Sequence, residues 1–136
     1  MGIRYKLVAT AILCKHDRYL IAKRSMDEEK FPGYWTVPGG TIDPEDHTNP
    51  NEDGLMYDVI ENALAREIKE EVGLEYENLD YVVSLVYPKK EGFAMCLSFS
   101  ADYIGGEVVL DDELTEYAWV TVDELDDYQL VTGIKD

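Results

Sequence analysis

Positive charge is scarce in this sequence: 12 lysines and arginines stand against 29 aspartates and glutamates in 136 residues, a formal net charge of −17. Long nucleic acid is gripped through its phosphates by lysine and arginine, so this balance excludes a non-specific binder of DNA or RNA. A nucleotide is not excluded, because a small phosphate ligand can be accompanied by Mg2+, which reverses the local sign of the field. Cysteine is sparse too. Cys14 and Cys96 are too few and too far apart for a disulfide framework or a zinc knuckle, and each sits in an apolar run, so both read as reduced core residues. The sequence has no run of eighteen apolar residues, and the opening Met-Gly-Ile-Arg-Tyr-Lys lacks the apolar stretch of a signal peptide. Internal repeats and low-complexity tracts are missing as well. The expectation is a soluble, cytoplasmic protein with no membrane partner.

What is present suits one globular unit. The apolar fraction is 46%, and the length accommodates a single core, so residues 1–136 read as one domain. Lys6 to Lys15 and Arg18 to Arg24 are β-rich runs joined by His16-Asp17, a hairpin pattern. Trp35-Thr36-Val37 is a short strand candidate that Pro38-Gly39-Gly40 ends, and Asp43 to Gly54 reads as an exposed loop. From about Asp58 the period becomes helical. Ile60, Leu64, Ile68 and Val72 form the apolar stripe, Asp58 can cap the start, and Gly73 can end the helix in the left-handed conformation. Tyr81 to Tyr87 and Phe93 to Ile104 read as strands, Val108 to Leu110 and Tyr117 to Val120 as two more, and Thr121 or Asp123 starts a short second helix. The fold class is α+β or mixed α/β, with helices packed on sheet.

The chemistry concentrates in Arg66-Glu67-Ile68-Lys69-Glu70-Glu71-Val72-Gly73-Leu74. At about 100° per residue, Glu71 lies one turn beyond Glu67 on nearly the same azimuth and Glu70 flanks both, while Lys69 points to the opposite side. Like charges at this spacing repel by a few tenths of a kcal/mol. Such a cluster stabilises a helix poorly and suits a hard divalent cation, which prefers oxygen ligands.

Pro38-Gly39-Gly40, followed by a helix carrying Arg66-Glu67, an apolar residue, any residue, Glu70-Glu71, any residue, Gly73 and an apolar residue, resembles the signature of the Nudix hydrolases. The resemblance implies an α/β/α sandwich with a mixed sheet over almost the whole chain. It implies a pyrophosphohydrolase that cleaves the diphosphate linkage of a nucleoside diphosphate derivative, a nucleoside triphosphate or a nucleotide sugar such as ADP-ribose, by water attack on phosphorus. Mg2+ or Mn2+ would be the cofactor, a small nucleotide the partner, and a homodimer is a common state of the family. Glu67, Glu70 and Glu71 would be catalytic and metal-binding, the carbonyl of Gly39 would be a further metal ligand, and Arg66 would pair with carboxylates and organise the loop. An acid on a later loop commonly serves as ligand or base, and Glu113 is the matching candidate, with Glu116 behind it. Glu67 is the first choice of base.

One region departs from the family pattern. Gly40 and Arg66 are 26 positions apart, twelve more than the signature has, which places an insertion at about residues 43–57. Asp46 satisfies the family's acid spacing counted from Gly40, and Asp58 satisfies it counted from Arg66; either could pair with the arginine. Asn49-x-Asn51-x-Asp53-Gly54 also has alternate oxygen ligands and the turn glycine of a calcium loop, but Ile60 stands where its bidentate glutamate should be. Substrate contacts are drawn from Lys23 and Arg24, Gly40, Trp35 and Tyr87, with aromatic packing and ordinary surface charge as the alternatives. A catalytically silent Nudix-fold binding or regulatory module is the competing function.

Overall fold

The computed structural model describes residues 2, 4–43, 52–90 and 92–131. Seven strands form one mixed sheet: β1 (Tyr5–Lys15), β2 (Arg18–Arg24), β3 (Trp35–Thr36), β4 (Gly39–Thr41), β5 (Glu75–Lys89), β6 (Gly92–Gly105) and β7 (Leu114–Val120). The helix α1 (Val59–Glu71) joins β4 to β5, and a 3₁₀ turn (Val122–Asp127) follows β7. The main path runs β3-β2-β1-β6-β5, with β7 on β2 and β4 on β1. Among the described strands only β1 and β6 run parallel, from Tyr5↔Phe93 to Cys14↔Asp102.

The hairpin built on His16, which takes φ 58, pairs β1 with β2 only at Cys14↔Tyr19 and Lys15↔Arg18. Beyond that point the strands diverge, and the chain from Trp35 to Thr41 fills the gap. β3 pairs with β2 at Ala22↔Thr36, the Ala11 N–H reaches the Pro38 carbonyl at 2.9 Å, and β4 pairs with β1 at Ala9↔Gly40. The glycines that were expected to end a strand therefore form a second short one. Gly39 has φ 154, and a Cβ there would collide with the Ala9 carbonyl, so only glycine lies against β1 at this point.

Alternation of side chains across the strands separates two cores. On one face Ala9, Ala11, Leu13, Leu20, Ala22 and Ala101 meet Leu64, Ile68 and Val72 of α1, with Ile60 partly buried beside them. On the other face Ile21, Val37 and Val120 meet Leu125, Tyr128 and Leu130 from the 3₁₀ turn and the chain after it. The helix stripe is as expected, and Gly73 ends α1 at φ 70 with its N–H on the Ile68 carbonyl at 2.9 Å. Thr121 and Glu124 form a capping box at the start of the 3₁₀ turn.

Several local expectations change. Asp58 precedes α1 in the left-handed region (φ 58) and makes no side-chain cap. Residues 108–110 are not a strand; instead the Val109 and Asp111 amides take the Val72 and Glu71 carbonyls, at 2.9 and 3.2 Å, closing a helix end that would otherwise hold unpaired acceptors. β5 begins at Glu75 rather than Tyr81, because backbone pairing with β6 continues through a polar stretch that has no apolar alternation. Cys14 and Cys96 are free and half-buried rather than core. No helix among the described residues is long and apolar enough to cross a membrane. Leu64 is 0% exposed beneath α1, so Leu64→Ala is expected to cost about 2–5 kcal/mol in a denaturant unfolding experiment.

Candidate active site

The helix stripe fixes the roll of α1 by burying Leu64, Ile68 and Val72, and this turns Arg66, Glu67, Glu70 and Glu71 toward β4. Arg66 stands at the centre. One terminal nitrogen donates to Glu67 Oε1 at 3.0 Å and Glu70 Oε2 at 3.3 Å, and the other donates to the Thr41 carbonyl at 3.2 Å and lies 3.3 Å from Asp43 Oδ2. Among the described residues, the acid outside α1 that stands against Arg66 is Asp43, three residues after Gly40. Among the described residues no ion pair joins Asp58 to Arg66, and Asp46 lies outside them.

Glu71 points under the glycines. Its side chain accepts the Gly39 N–H at 2.9 Å, and the residue is 6% exposed. Burial pushes its carboxyl up to about 8; the Gly39 hydrogen bond works against that rise, and the charges of Glu67, Asp111 and Glu113 add to it. Glu67 is also held above the ordinary carboxylate range, first by desolvation and then by Glu70 and Glu113, with Arg66 pulling the other way. Gly40 lies directly against Glu67: a Cβ on it would fall 2.6 Å from the carboxylate. The second glycine is therefore the space that the Glu67 carboxylate occupies.

Glu113 reaches this neighbourhood because the segment after Gly106 closes the helix end. Asp111 bonds to Glu71 through the backbone, the Glu113 N–H is tied to Asp111 Oδ1 at 3.0 Å, and the Ser25 N–H takes the Glu113 carbonyl at 2.8 Å. Desolvation and the charges of Asp111 and Glu28 raise the Glu113 carboxyl. Arg24 stands between Glu113 and Tyr87 electrostatically, while its guanidinium holds the Lys30 carbonyl at 3.0 Å and Glu28 at 3.5 Å. Cys96 lies near Tyr87, and its thiol is 3.7 and 3.8 Å from the hydroxyls of Thr10 and Ser98, which are themselves 2.9 Å apart.

Two sequence candidates go elsewhere. Lys23 pairs with Glu116 across β2 and β7 at 3.4 Å, and Trp35 packs edge-on against Tyr128 at 4.9 Å in the opposite core. Asp43, Asp111 and the Thr10–Ser98 pair were missed. Asp43 carries a signal, since it follows Gly39-Gly40 just beyond the end of β4; Asp111 is brought in by its backbone bond to the end of α1, and Thr10 and Ser98 by the pairing of β1 with β6. Of the calcium-loop pattern, Asn49 and Asn51 lie outside the described residues.

No three His, Cys, Asp or Glu side chains among the described residues are gathered as they stand to hold a metal ion. Arg66 takes Glu67 and Glu70, and the Gly39 N–H takes Glu71. The donor set still fits a hard divalent cation, being all oxygen and holding more carboxylates than the single Arg66 guanidinium neutralises.

The model of the NUDIX domain matches residues 4–135. Nucleoside triphosphatase NudI of Escherichia coli (strain K12) is 27% identical over 139 residues, spanning 94% of this chain and 90% of that protein; the Klebsiella pneumoniae (strain 342) NudI is 26% identical over the same shares. Among solved structures, the MutT protein from Methanosarcina mazei Go1 superposes with TM-score 0.76 at 23% identity, covering 100% of this chain and 91% of that one. The MutT NUDIX hydrolase from Burkholderia pseudomallei gives TM-score 0.78 at 20% identity, covering 97% and 94%. The chain belongs to the NUDIX family and is a Nudix hydrolase.

Two outcomes follow from this geometry. Glu71 titrates near 4.5 when unfolded and at about 8 when folded, so between these values the folded state holds the extra proton and stability falls as pH rises. In EDTA, Tm should drop across that window for the wild type and stay level for Glu71→Gln. Gly40→Ala should push Glu67 aside and lower kcat about a hundredfold with the far-UV circular dichroism unchanged.

Proposed function

We propose that the chain is a Mg2+- or Mn2+-dependent pyrophosphohydrolase acting on a nucleoside triphosphate, releasing a nucleoside monophosphate and pyrophosphate. The observation that carries this reading is the placement of Glu71 on the Gly39 N–H and of Glu67 against Gly40, with Arg66 joining Glu67 to Glu70 and with Glu67 and Glu71 both held above the ordinary carboxylate range. The relatives named nucleoside triphosphatase in E. coli and K. pneumoniae support a triphosphate ahead of a nucleotide sugar.

A divalent ion bound by these carboxylates, with the Gly39 carbonyl as a further oxygen, would neutralise phosphate charge and polarise the attacking water. The chain's own residues do the rest. Arg66 fixes Glu67 and Glu70 relative to Thr41 and Asp43, so the helix and the glycine strand move as one piece. The Gly39 N–H orients Glu71. Glu67, partly desolvated and lying against Gly40, accepts the proton of water in this reading, and Glu113 stands second. Arg24 and Tyr87 offer a cation and an exposed ring to the nucleotide.

A second reading has one observation in its favour. Both Glu67 and Glu70 are engaged by Arg66, which suits a domain that binds nucleotide without cleaving it. The NUDIX domain of Shewanella oneidensis NrtR, solved in complex with ADP ribose, shares the fold at TM-score 0.74 and 15% identity over 96% of this chain and 82% of that one. A phosphate-release panel of canonical triphosphates, 8-oxo-dGTP, ADP-ribose and dinucleoside polyphosphates, run with Mg2+ and with Mn2+, separates the two. Turnover of triphosphates that Glu70→Gln reduces at least about a hundredfold supports catalysis; tight binding without release supports the module. Undiminished turnover in Glu70→Gln would sink the metal-ligand assignment.

A further inference from the structure

The start of β1, the turn between β5 and β6 and the loop after β2 are distant in the sequence, yet they meet at one end of the sheet. Phe93 donates its N–H to the Arg4 carbonyl at 2.9 Å, which holds the turn against the strand start. Gly92 permits this approach: it takes φ 116, and a Cβ on it would collide with the same carbonyl. The loop is tied to the end of β2, because Arg24 Nε donates to the Lys30 carbonyl at 3.0 Å and the Gly33 N–H to the Arg24 carbonyl at 3.1 Å.

Together these segments line a hollow of about 510 Å³ with Arg4, Lys6, Lys30, Lys89 and Lys90. Its size is that of a small-molecule site, roughly 300–1,000 Å³. The five are drawn from only 12 cationic residues in a chain with 29 acidic ones, yet no aspartate or glutamate is among the described residues that line the hollow. None of the five forms an ion pair among the described residues, whereas Arg18, Lys23, Arg24 and Arg66 all do. Desolvation, and then the charges of Lys6 and Lys30, hold the Lys89 ammonium below the ordinary lysine range. Three chain segments thus bring like charges together. Beside them the rings of Tyr5 and Phe93 stack at 5.7 Å and stay partly exposed, giving the hollow an apolar wall.

The charge pattern selects the ligand. A single carboxylate brings one negative charge and leaves most of the cluster unanswered, whereas linked phosphates bring several, with oxygens spread to meet more than one ammonium. Long nucleic acid or an anionic membrane would reach beyond the hollow. Either would then face a chain whose net charge is −17 with these five cations already counted. The hollow shares no lining residue with the carboxylates and glycines of the active site.

We propose that this hollow binds a polyphosphate anion, three linked phosphates either free or carried by a nucleotide, at a site separate from the carboxylates of α1. The bound anion replaces the mutual repulsion of Lys6, Lys30 and Lys89 with attraction to a shared partner. Binding therefore stabilises the folded chain.

The test is isothermal titration calorimetry of the full chain with tripolyphosphate, in EDTA and low salt, where no metal can bridge phosphate to the helix carboxylates. The wild type should bind saturably, and its Tm should rise with the anion. Lys6→Gln and Lys89→Gln should each weaken binding about tenfold, with circular dichroism as the control for folding. Arg18→Gln removes a positive charge at the opposite end of β1, beside Lys15, and should change the affinity less than about twofold. ATP in the same buffer separates the two sources of phosphate. Equal affinity makes the phosphate chain the whole ligand, and tighter binding that Phe93→Leu returns to the tripolyphosphate value adds the ring wall to the site. The proposal is overturned if tripolyphosphate does not bind saturably, if both lysine variants bind like the wild type, or if Arg18→Gln loses as much affinity as Lys89→Gln. Hydrolysis is not part of the readout, so the result stands apart from the proposed activity.

Discussion

The guanidinium of Arg66 is the interaction on which the site depends. Three glutamates within five residues of one helix repel one another, and one of them is nearly out of water. Mutual repulsion at helical spacing amounts to a few tenths of a kcal/mol per pair; burying a carboxylate costs far more and is met by protonation or by a partner. Arg66 supplies that partner for Glu67 and Glu70 and also reaches the Thr41 carbonyl and Asp43. Its planar fork can bridge helix and strand at once, which a lysine ammonium at the same position could not do with fixed geometry.

The scaffold delivers each remaining part for a reason unrelated to chemistry. β1 and β2 separate after two residue pairs, and the glycine strand fills the gap because only glycine fits there. The carbonyls at the end of α1 need donors, and the segment that provides them brings Asp111 and Glu113 alongside Glu71. Catalytic placement here follows from backbone hydrogen-bond satisfaction.

How much of this could be read from the sequence divides along the range of the interactions. The helix, its buried stripe and its terminal glycine are local and periodic, so Leu64, Ile68, Val72 and Gly73 were legible. The first hairpin was legible for the same reason. Residues 108–110 look like a strand, since Val-Val-Leu has strand propensity, but Val109 instead closes the end of α1 through the carbonyl of Val72, far back in the chain. Asp43 was missed because spacing counted along the chain pointed to Asp46, which lies outside the described residues, and to Asp58, whereas Asp43 follows directly on β4 and stands 3.3 Å from Arg66. Lys23 and Trp35 have the right chemistry for a nucleotide, and their actual partners, Glu116 and Tyr128, come from the last third of the sequence.

The glycine strand is held by β1 before the insertion starts, and α1 is held by its own core after the insertion ends. The distance between Gly39 and Glu71 is therefore set by two docked elements and not by the chain that connects them. Closure entropy grows slowly with loop length, by only about 0.6 kcal/mol per doubling. Chain length between Asp43 and Asp58 is consequently something natural drift or engineering can alter while the carboxylates keep their places.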